Sequence, residues 1–311
     1  MKKRFSKLLI FLILMTIIAT ITFNSNNLSN IIVFSINVFV KNVFPSLFPM
    51  FVISSVLIEL NIPYYLSKVF QKIMSYLFKC NSYGSFIFFM SMLTGAPSNA
   101  KYINDLIDKN LISEQDGNKI LMFTCFSNPL FIINTIGNMF FKNFTIGVYL
   151  FIAHFLGNIL TGVTFRSYNK NNDTSILKKP NNSFDIFNTL SISIKESLEI
   201  LINIFGIITL FFIIINTILS TPNNFFKITL SGVLEMTSGL KYLSISNIPL
   251  VIKLYLSMFF ISFGGFSIHF QIFNILKKRK IKYLPFFISR LTSSIFSIII
   301  LFILLKMDML F

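Results

Sequence analysis

Residues 83–100 read YGSFIFFMSMLTGAPSNA, about a dozen apolar positions stopped by Gly95-Ala96-Pro97-Ser98-Asn99-Ala100. A helix needs about 20 apolar residues to cross about 30 Å of hydrocarbon, so Tyr83–Thr94 is too short to span. The chain resumes as helix-compatible Lys101–Asn110 after the glycine and proline. Breaks of this kind survive at membrane depth only where protein or a water-filled cavity covers the freed backbone groups. Two further breaks follow, Ser127-Asn128-Pro129 and Phe263-Gly264-Gly265-Phe266-Ser267.

The surrounding composition fits that reading. Of 311 residues, 54% are hydrophobic and 12% charged, and the mean hydropathy is +0.75. Soluble domains carry about 25% charged residues, so the soluble-enzyme class is excluded and an all-α polytopic membrane protein is expected. The 27 Lys and Arg against 11 Asp and Glu give +16. These cations cluster at the ends of apolar runs, as in Lys2-Lys3-Arg4 and Lys277-Lys278-Arg279-Lys280. That is the topogenic pattern of loops retained in the cytoplasm, with the lipid bilayer and not nucleic acid as partner. Cys80 and Cys125, without a CxxC, make no disulfide framework, and His154 and His269 are the two histidines. No zinc or haem cofactor is expected. HExxH, P-loop and GxGxxG motifs are absent, which argues against an enzyme.

Residues 1–30 read as an N-terminal membrane helix, with a basic start, the apolar run Leu8–Phe23 and no A-x-A-like cleavage site. Ile31–Val43 has the pattern of an interfacial segment, and Phe44-Pro45-Ser46-Leu47-Phe48-Pro49 opens an apolar run to Leu60. Tyr64–Lys79 is a tilted span or a surface helix, and Phe144–Phe165 is a full span. The polar linker 169–185, hydrophilic throughout Asn169–Ser183, separates a first half (31–168) from a second (186–311). Ile192–Leu219, Phe225–Gly239, Ile248–Phe263, Ile268–Leu276 and Phe286–Leu305 are the apolar runs of the second half.

A shift of 169 residues lays Gly95-x-x-Ser98 on Gly264-x-x-Ser267. The turn Asp105–Ser113 then meets Asn274–Lys282, one lysine against five basic residues. If Lys-rich turns stay cytoplasmic, the two turns face opposite sides, as an inverted repeat requires. Matching broken helices in two halves point to a transport site at the midplane. Two unrelated re-entrant loops are the competing reading.

The candidate site residues gather at the breaks. Gly95, Pro97, Ser98 and Asn99 open one half-helix, and Gly264, Gly265 and Ser267 open another. Free N–H groups and the dipole at such ends suit a small anion; close packing through small residues is the alternative. Asn128 either caps a proline kink or offers its amide to substrate. Glu235, with Thr237 beside it, is an ionisable group at membrane depth. It suits a coupling proton or cation, or an ion pair with Arg290 or Lys241, unless it sits nearer the interface. His269 and Gln271 follow the second glycine break, and Arg290 stands inside an apolar span. His154 and Lys101 rank second, and Glu59, Glu196 and Glu199 read as interfacial.

Five blocks come in a familiar order. They are Phe44–Phe51, Gly95–Lys101, Ser127–Phe131, Leu234–Gly239 and Phe263–Gln271. From about Phe44 to the last span the sequence resembles the YlbJ-type sporulation integral membrane proteins, which contain nucleoside-recognition (Gate) domains. The resemblance implies two Gate-like repeats, a design similar to concentrative nucleoside transporters, and an endospore-forming bacterium. It implies a part in moving dipicolinic acid into the spore across the outer forespore membrane, with the cell membrane as the other location. A nucleoside carrier, or a structural sporulation factor that moves nothing, stays open beside it. Ala96 and Asn99 stand where the family usually carries Tyr and a small residue.

Overall fold

The computed structural model describes residues 25–168, 185–218 and 224–307, together with Met15 and Ile18. The expected N-terminal membrane helix, up to Asn24 and apart from Met15 and Ile18, and the linker Asn169–Ser183 lie outside the described residues. Every regular element among the described residues is helical. Among the described residues five helices are long and apolar enough to cross a membrane: Leu28–Glu59, Phe144–Thr164, Ile186–Asn216, Leu250–Ile275 and Tyr283–Met307.

Helix α1 (Ser25–Val38) runs through a π-helical turn, Phe39–Val43, into α2 (Phe44–Glu59). Pro45 and Pro49 bring no N–H to this ladder, and the wider turn just before them absorbs the misfit. Ile31–Val43 is therefore part of one 32-residue helix and not a separate interfacial segment. Asn61, in the left-handed region at φ 60°, turns the chain into α3 (Ile62–Ile73). Glu59 pairs with Lys109 at one end of this stretch, and Asn81 reaches Leu111 O and Asp116 past the other. Both ends meet the same turn, so α3 lies along one face of the protein. Its exposed Tyr65 and Val69 suit a helix lying at the interface.

Two hairpins follow the same plan. Helices α4 (Gly84–Thr94) and α5 (Ser98–Asp108) fold back on each other at Gly95, whose φ is +80°. Tyr102 donates to Thr94 Oγ1 across the hairpin at 3.1 Å. Helix α6 (Glu114–Leu121) starts at the Ser113–Asp116 capping box, unwinds over Met122–Asn128, and resumes as the π-helical Phe131–Phe140. The span α7 (Phe144–Thr164) closes the half. After α8 (Ile186–Ile218), helices α9 (Phe225–Leu234) and α10 (Met236–Ser244) form the second hairpin. A Cβ on Gly239 would stand 2.1 Å from Gly232 Cα, so only two glycines allow these arms to touch. Helix α11 (Leu250–Phe263) breaks at Gly264, φ +87°, into α12 (Gly265–Ile275), and α13 (Tyr283–Met307) ends the chain.

This order moves the repeat from a shift of 169 to one of 139. Hairpin, broken helix and span recur together, with α7 beginning at Phe144 and α13 at Tyr283. Ala96 then matches Glu235, and the unwound Met122–Asn128 matches the Gly264 break. The shift of 169 had paired a reversal with a kink. Both are a glycine followed by a helix start, and sequence does not tell them apart.

The opposed sides assigned to the two turns are also overturned. Arg279 pairs with Asp108 and donates to Asn104, and the Lys282 N–H donates to Asn118. The Lys109 and Lys278 turns therefore share one side, here the Arg279 face. Under the new shift the partner of the first hairpin is the second, and these do point oppositely. Helix α8 feels Asp105 and Asp108 at Glu196 and packs Phe212 on Phe34, which also carries Lys241. Sixteen residues of helix, about 24 Å, separate those levels.

The helices form two layers. Leu47, Phe51, Ile204, Ile208 and Phe212 join α1, α2 and α8, while the hairpins, broken helices and α7–α13 share two larger apolar clusters. Lipid removes the usual hydrophobic drive between helices, so close approach carries the association. Gly157 allows it between α7 and α13, where a Cβ would stand 2.1 Å from Ser297 Oγ.

Candidate functional site

A cavity of 1440 Å³ separates the two layers. Phe34, Lys41 and Ser46 of α1–α2 and Phe212 and Asn216 of α8 line one wall. The other wall is built from three interruptions of the repeat and from the helix that follows the fourth. Thr94 and Pro97 come from the first hairpin tip, Ser127 and Asn128 from the unwound segment, Glu235 and Thr237 from the second tip, and Gln271 from α12. Leu28, Met139 and Asn216, near helix ends remote from Arg279, line it too. The cavity therefore opens away from the Arg279 face.

Five of the residues expected at a site reach the cavity: Pro97, Asn128, Glu235, Thr237 and Gln271. Asn128 Oδ1 accepts from Leu130 N (2.8 Å) and Phe131 N (3.3 Å), so it caps the resumed helix while lining the space. Glu235 caps α10: its carboxylate accepts from Thr237 N (3.1 Å), Thr237 Oγ1 (2.6 Å) and Ser238 N (2.7 Å). Phe225–Gly239, read as one apolar run, is thus divided at Glu235. The signal was an acid two and three residues before Thr237 and Ser238, between Gly232 and Gly239. Among the described residues neither Lys241 nor Arg290 forms an ion pair with this acid.

The other eight support the site without lining it. A Cβ on Gly95 would meet Asn128 N at 2.7 Å, and one on Gly265 would meet Met236 N at 3.0 Å. Each glycine seats a hairpin tip against the broken helix of its own half. Ala96 N donates to Phe126 O at 2.6 Å in the first of these contacts. Gly264 supplies the left-handed kink, with nothing nearer than 3.7 Å to a Cβ placed on it. Ser267 Oγ accepts from Gln271 Nε2 at 3.2 Å and so aims a lining side chain. Ser98 and Asn99 are fully buried in α5, and among the described residues both amide atoms of Asn99 lack a hydrogen-bond partner. The α5 and α12 ends therefore do not present anion sites to the cavity. The end nearest to it, that of α10, already holds the Glu235 carboxylate.

His269 and Arg290 are structural fasteners. His269 Nε2 donates to Phe263 O at 2.9 Å, across the Gly264 break, and Nδ1 accepts from Tyr283 OH at 3.1 Å. Arg290, fully buried, donates to Cys125 O (3.0 Å), Asn158 Oδ1 (3.0 Å) and Met122 O (2.6 Å). These carbonyls are the ones freed where α6 unwinds. His154 works on the same segment: Nε2 accepts from Ser127 N at 2.9 Å, which leaves Nδ1 to donate to Ser262 Oγ at 3.0 Å. A neutral imidazole thus ties the first broken helix to the second. Lys101 is likewise buried, on Asp105 and on Ser55 of α2. Among the described residues no three His, Cys, Asp or Glu side chains group as metal ligands.

Sequence reasoning gave no site role to Lys41 or Lys227 and named Lys241 only as a partner for Glu235. Nothing local distinguishes a cavity lysine from an interfacial one.

The sequence has a clear likeness to a known membrane protein. Sporulation integral membrane protein YlbJ of Bacillus subtilis (strain 168) is 29% identical over 303 residues, covering 85% of this chain and 74% of that protein. The chain is thus similar to a sporulation integral membrane protein. Its long apolar helices fit an integral membrane protein as well. No protein-family model matches the sequence, and no solved structure matches it.

Proposed function

We propose that this protein is a carrier, not an enzyme, that moves dipicolinic acid or a similar small anion across the outer forespore membrane during sporulation. The observation that carries this reading is the convergence of both hairpin tips, the unwound Ser127–Asn128 and helix α12 on one cavity. Unwound backbone at membrane depth is tolerated where it is buried in protein or lines a water-filled cavity, and paired interruptions in two inverted halves point to a transport site. The likeness to a sporulation membrane protein supplies the setting, and the family resemblance supplies dipicolinate. The greater number of basic residues on the Arg279 face supports a cytoplasmic position for that face, with the cavity opening toward the far side. Glu235, the acid at the cavity, is our candidate for binding a coupling proton or cation.

The test is the dipicolinate content of spores from a strain lacking this protein. We expect dipicolinate to stay in the mother cell, with loading restored by the full chain. Normal spore dipicolinate in the deletion strain would overturn the proposal. Restored loading by a chain carrying Gln271→Leu and Asn128→Leu would show a structural factor instead.

A further inference from the structure

We infer that the outward side of α8 is an interface with a second copy of this chain, centred on Asn203 and Gly206. Helix α8 runs for 33 residues, and both residues stand near its middle, between the levels of Glu196 and Phe212. Leu201, Ile204, Ile208 and Phe212 turn inward to α1 and α2, and the last two line the cavity. The opposite side is exposed and carries Lys195, Glu199, Ile202, Asn203 and Gly206. Two of its features are out of place against hydrocarbon. Asn203 Nδ2 donates to Glu199 O at 2.8 Å, which leaves its Oδ1 and second N–H without a partner among the described residues. An amide in that state is costly to turn toward lipid. Gly206 is the second feature. A Cβ on it would meet nothing within 4 Å, whereas every other glycine has a neighbour within that distance. No contact inside the chain calls for glycine here, and glycine weakens a helix interior. In membrane helices it recurs where another helix comes close.

What fits this side is a copy of itself. The exposed Lys195, Glu199, Ile202 and Gly206 recur at four-, three- and four-residue steps, the seam of two helices packed side by side. Two chains inserted the same way are related by an axis along the membrane normal, so their α8 helices run parallel and each residue meets its counterpart. An amide is both donor and acceptor, so Asn203 can bond in both directions with Asn203 of the second copy. Gly206 against Gly206 lets the two backbones close in one turn further on. Lys195 and Glu199 share the face and form no ion pair among the described residues. Across a parallel pair each Lys195 comes beside Glu199 of the second copy, so both charges are met twice. Lipid chains offer none of these partners. A protein of another sequence would have to repeat the amide, the gap and the opposite charges at the same spacing.

Single cysteines in the full chain, on a background without Cys80 and Cys125, test the interface in membranes. We expect Gly206→Cys to give, on oxidation, a reducible cross-link of twice the chain's mass. Ile202→Cys, a change on an exposed side chain, should do the same and decides the matter if the Gly206 variant fails to fold. Ile295→Cys, on the exposed side of α13, should give none. In vesicles, energy transfer between copies labelled at Lys142→Cys measures association as lipid is added. Gly206→Leu should weaken that association about tenfold and Asn203→Leu about threefold. Because the space around Gly206 is open, Gly206→Leu should insert with unchanged helix content. Wild-type copies that stay apart, no cross-link above that of Ile295→Cys, or association of Gly206→Leu equal to wild type would each overturn the interface. A cross-link within one chain between Thr16→Cys and Gly206→Cys would give the face to the chain's own N-terminal segment and overturn it too. None of these measurements depends on transport, so the carrier proposal is judged apart from them.

Discussion

Arg279, in the turn before α13, ion-pairs with Asp108 at the end of α5, and its Nε donates to Asn104 at 2.8 Å. A side chain cannot make this contact across a bilayer, so the two turns share a side. The first prediction is that Lys109→Cys and Lys278→Cys label from the same side of the membrane, and a cysteine at Lys142 from the other. The background should lack Cys80 and Cys125, although burial pushes the Cys80 thiol up to about 12 and leaves little reactive thiolate at neutral pH. Labelling of Lys109→Cys and Lys278→Cys from opposite sides would refute the arrangement.

The glycines of the breaks are not equivalent. Gly95→Ala adds a Cβ 2.7 Å from Asn128 N at a φ of +80°, whereas Gly264→Ala meets nothing closer than 3.7 Å and bears only the left-handed strain. That strain costs about 1–2 kcal/mol, and the clash adds to it. Thermal midpoints in detergent should fall further for Gly95→Ala, and spore dipicolinate with them. Equal midpoints would argue that the first hairpin tip does not sit on the unwound segment.

Arg290 holds carbonyls that have no other partner once α6 unwinds. Arg290→Met removes its bonds to Met122 O and Cys125 O, at about 1–3 kcal/mol for each group left buried and unsatisfied. We expect little folded protein in the membrane, with Arg290→Lys recovering part of it. A fully folded Arg290→Met protein that merely failed to bind dipicolinate would restore Arg290 to the substrate site.

Glu235→Gln tests the remaining cap. The amide keeps one acceptor for Thr237 N or Ser238 N but not both, so about 0.5–2 kcal/mol of capping is at stake. Dipicolinate uptake should fall at least tenfold while the protein stays folded by size-exclusion chromatography. Wild-type uptake would remove Glu235 from the mechanism.

The sequence by itself determined that the chain lives in a membrane, where its long spans run, and that the helices fail at Gly95, Asn128 and Gly264. Each of these follows from local physics: too little charge to meet water, and glycine or proline where a helix cannot continue. It also placed Asn128, Glu235 and Gln271 among the candidates, because polar groups in apolar surroundings need a reason to be there. Tertiary structure decided which breaks reverse the chain and which only kink it. Leu234-Glu235-Met236 contains nothing that forbids a helix, and the reversal exists because Gly232 and Gly239 let two arms touch while Glu235 caps the second. The same holds for Arg290, His154 and the three cavity lysines. A charged side chain reads alike whether it fastens a carbonyl, faces a cavity or reaches lipid headgroups, since its role is set by partners distant in the chain.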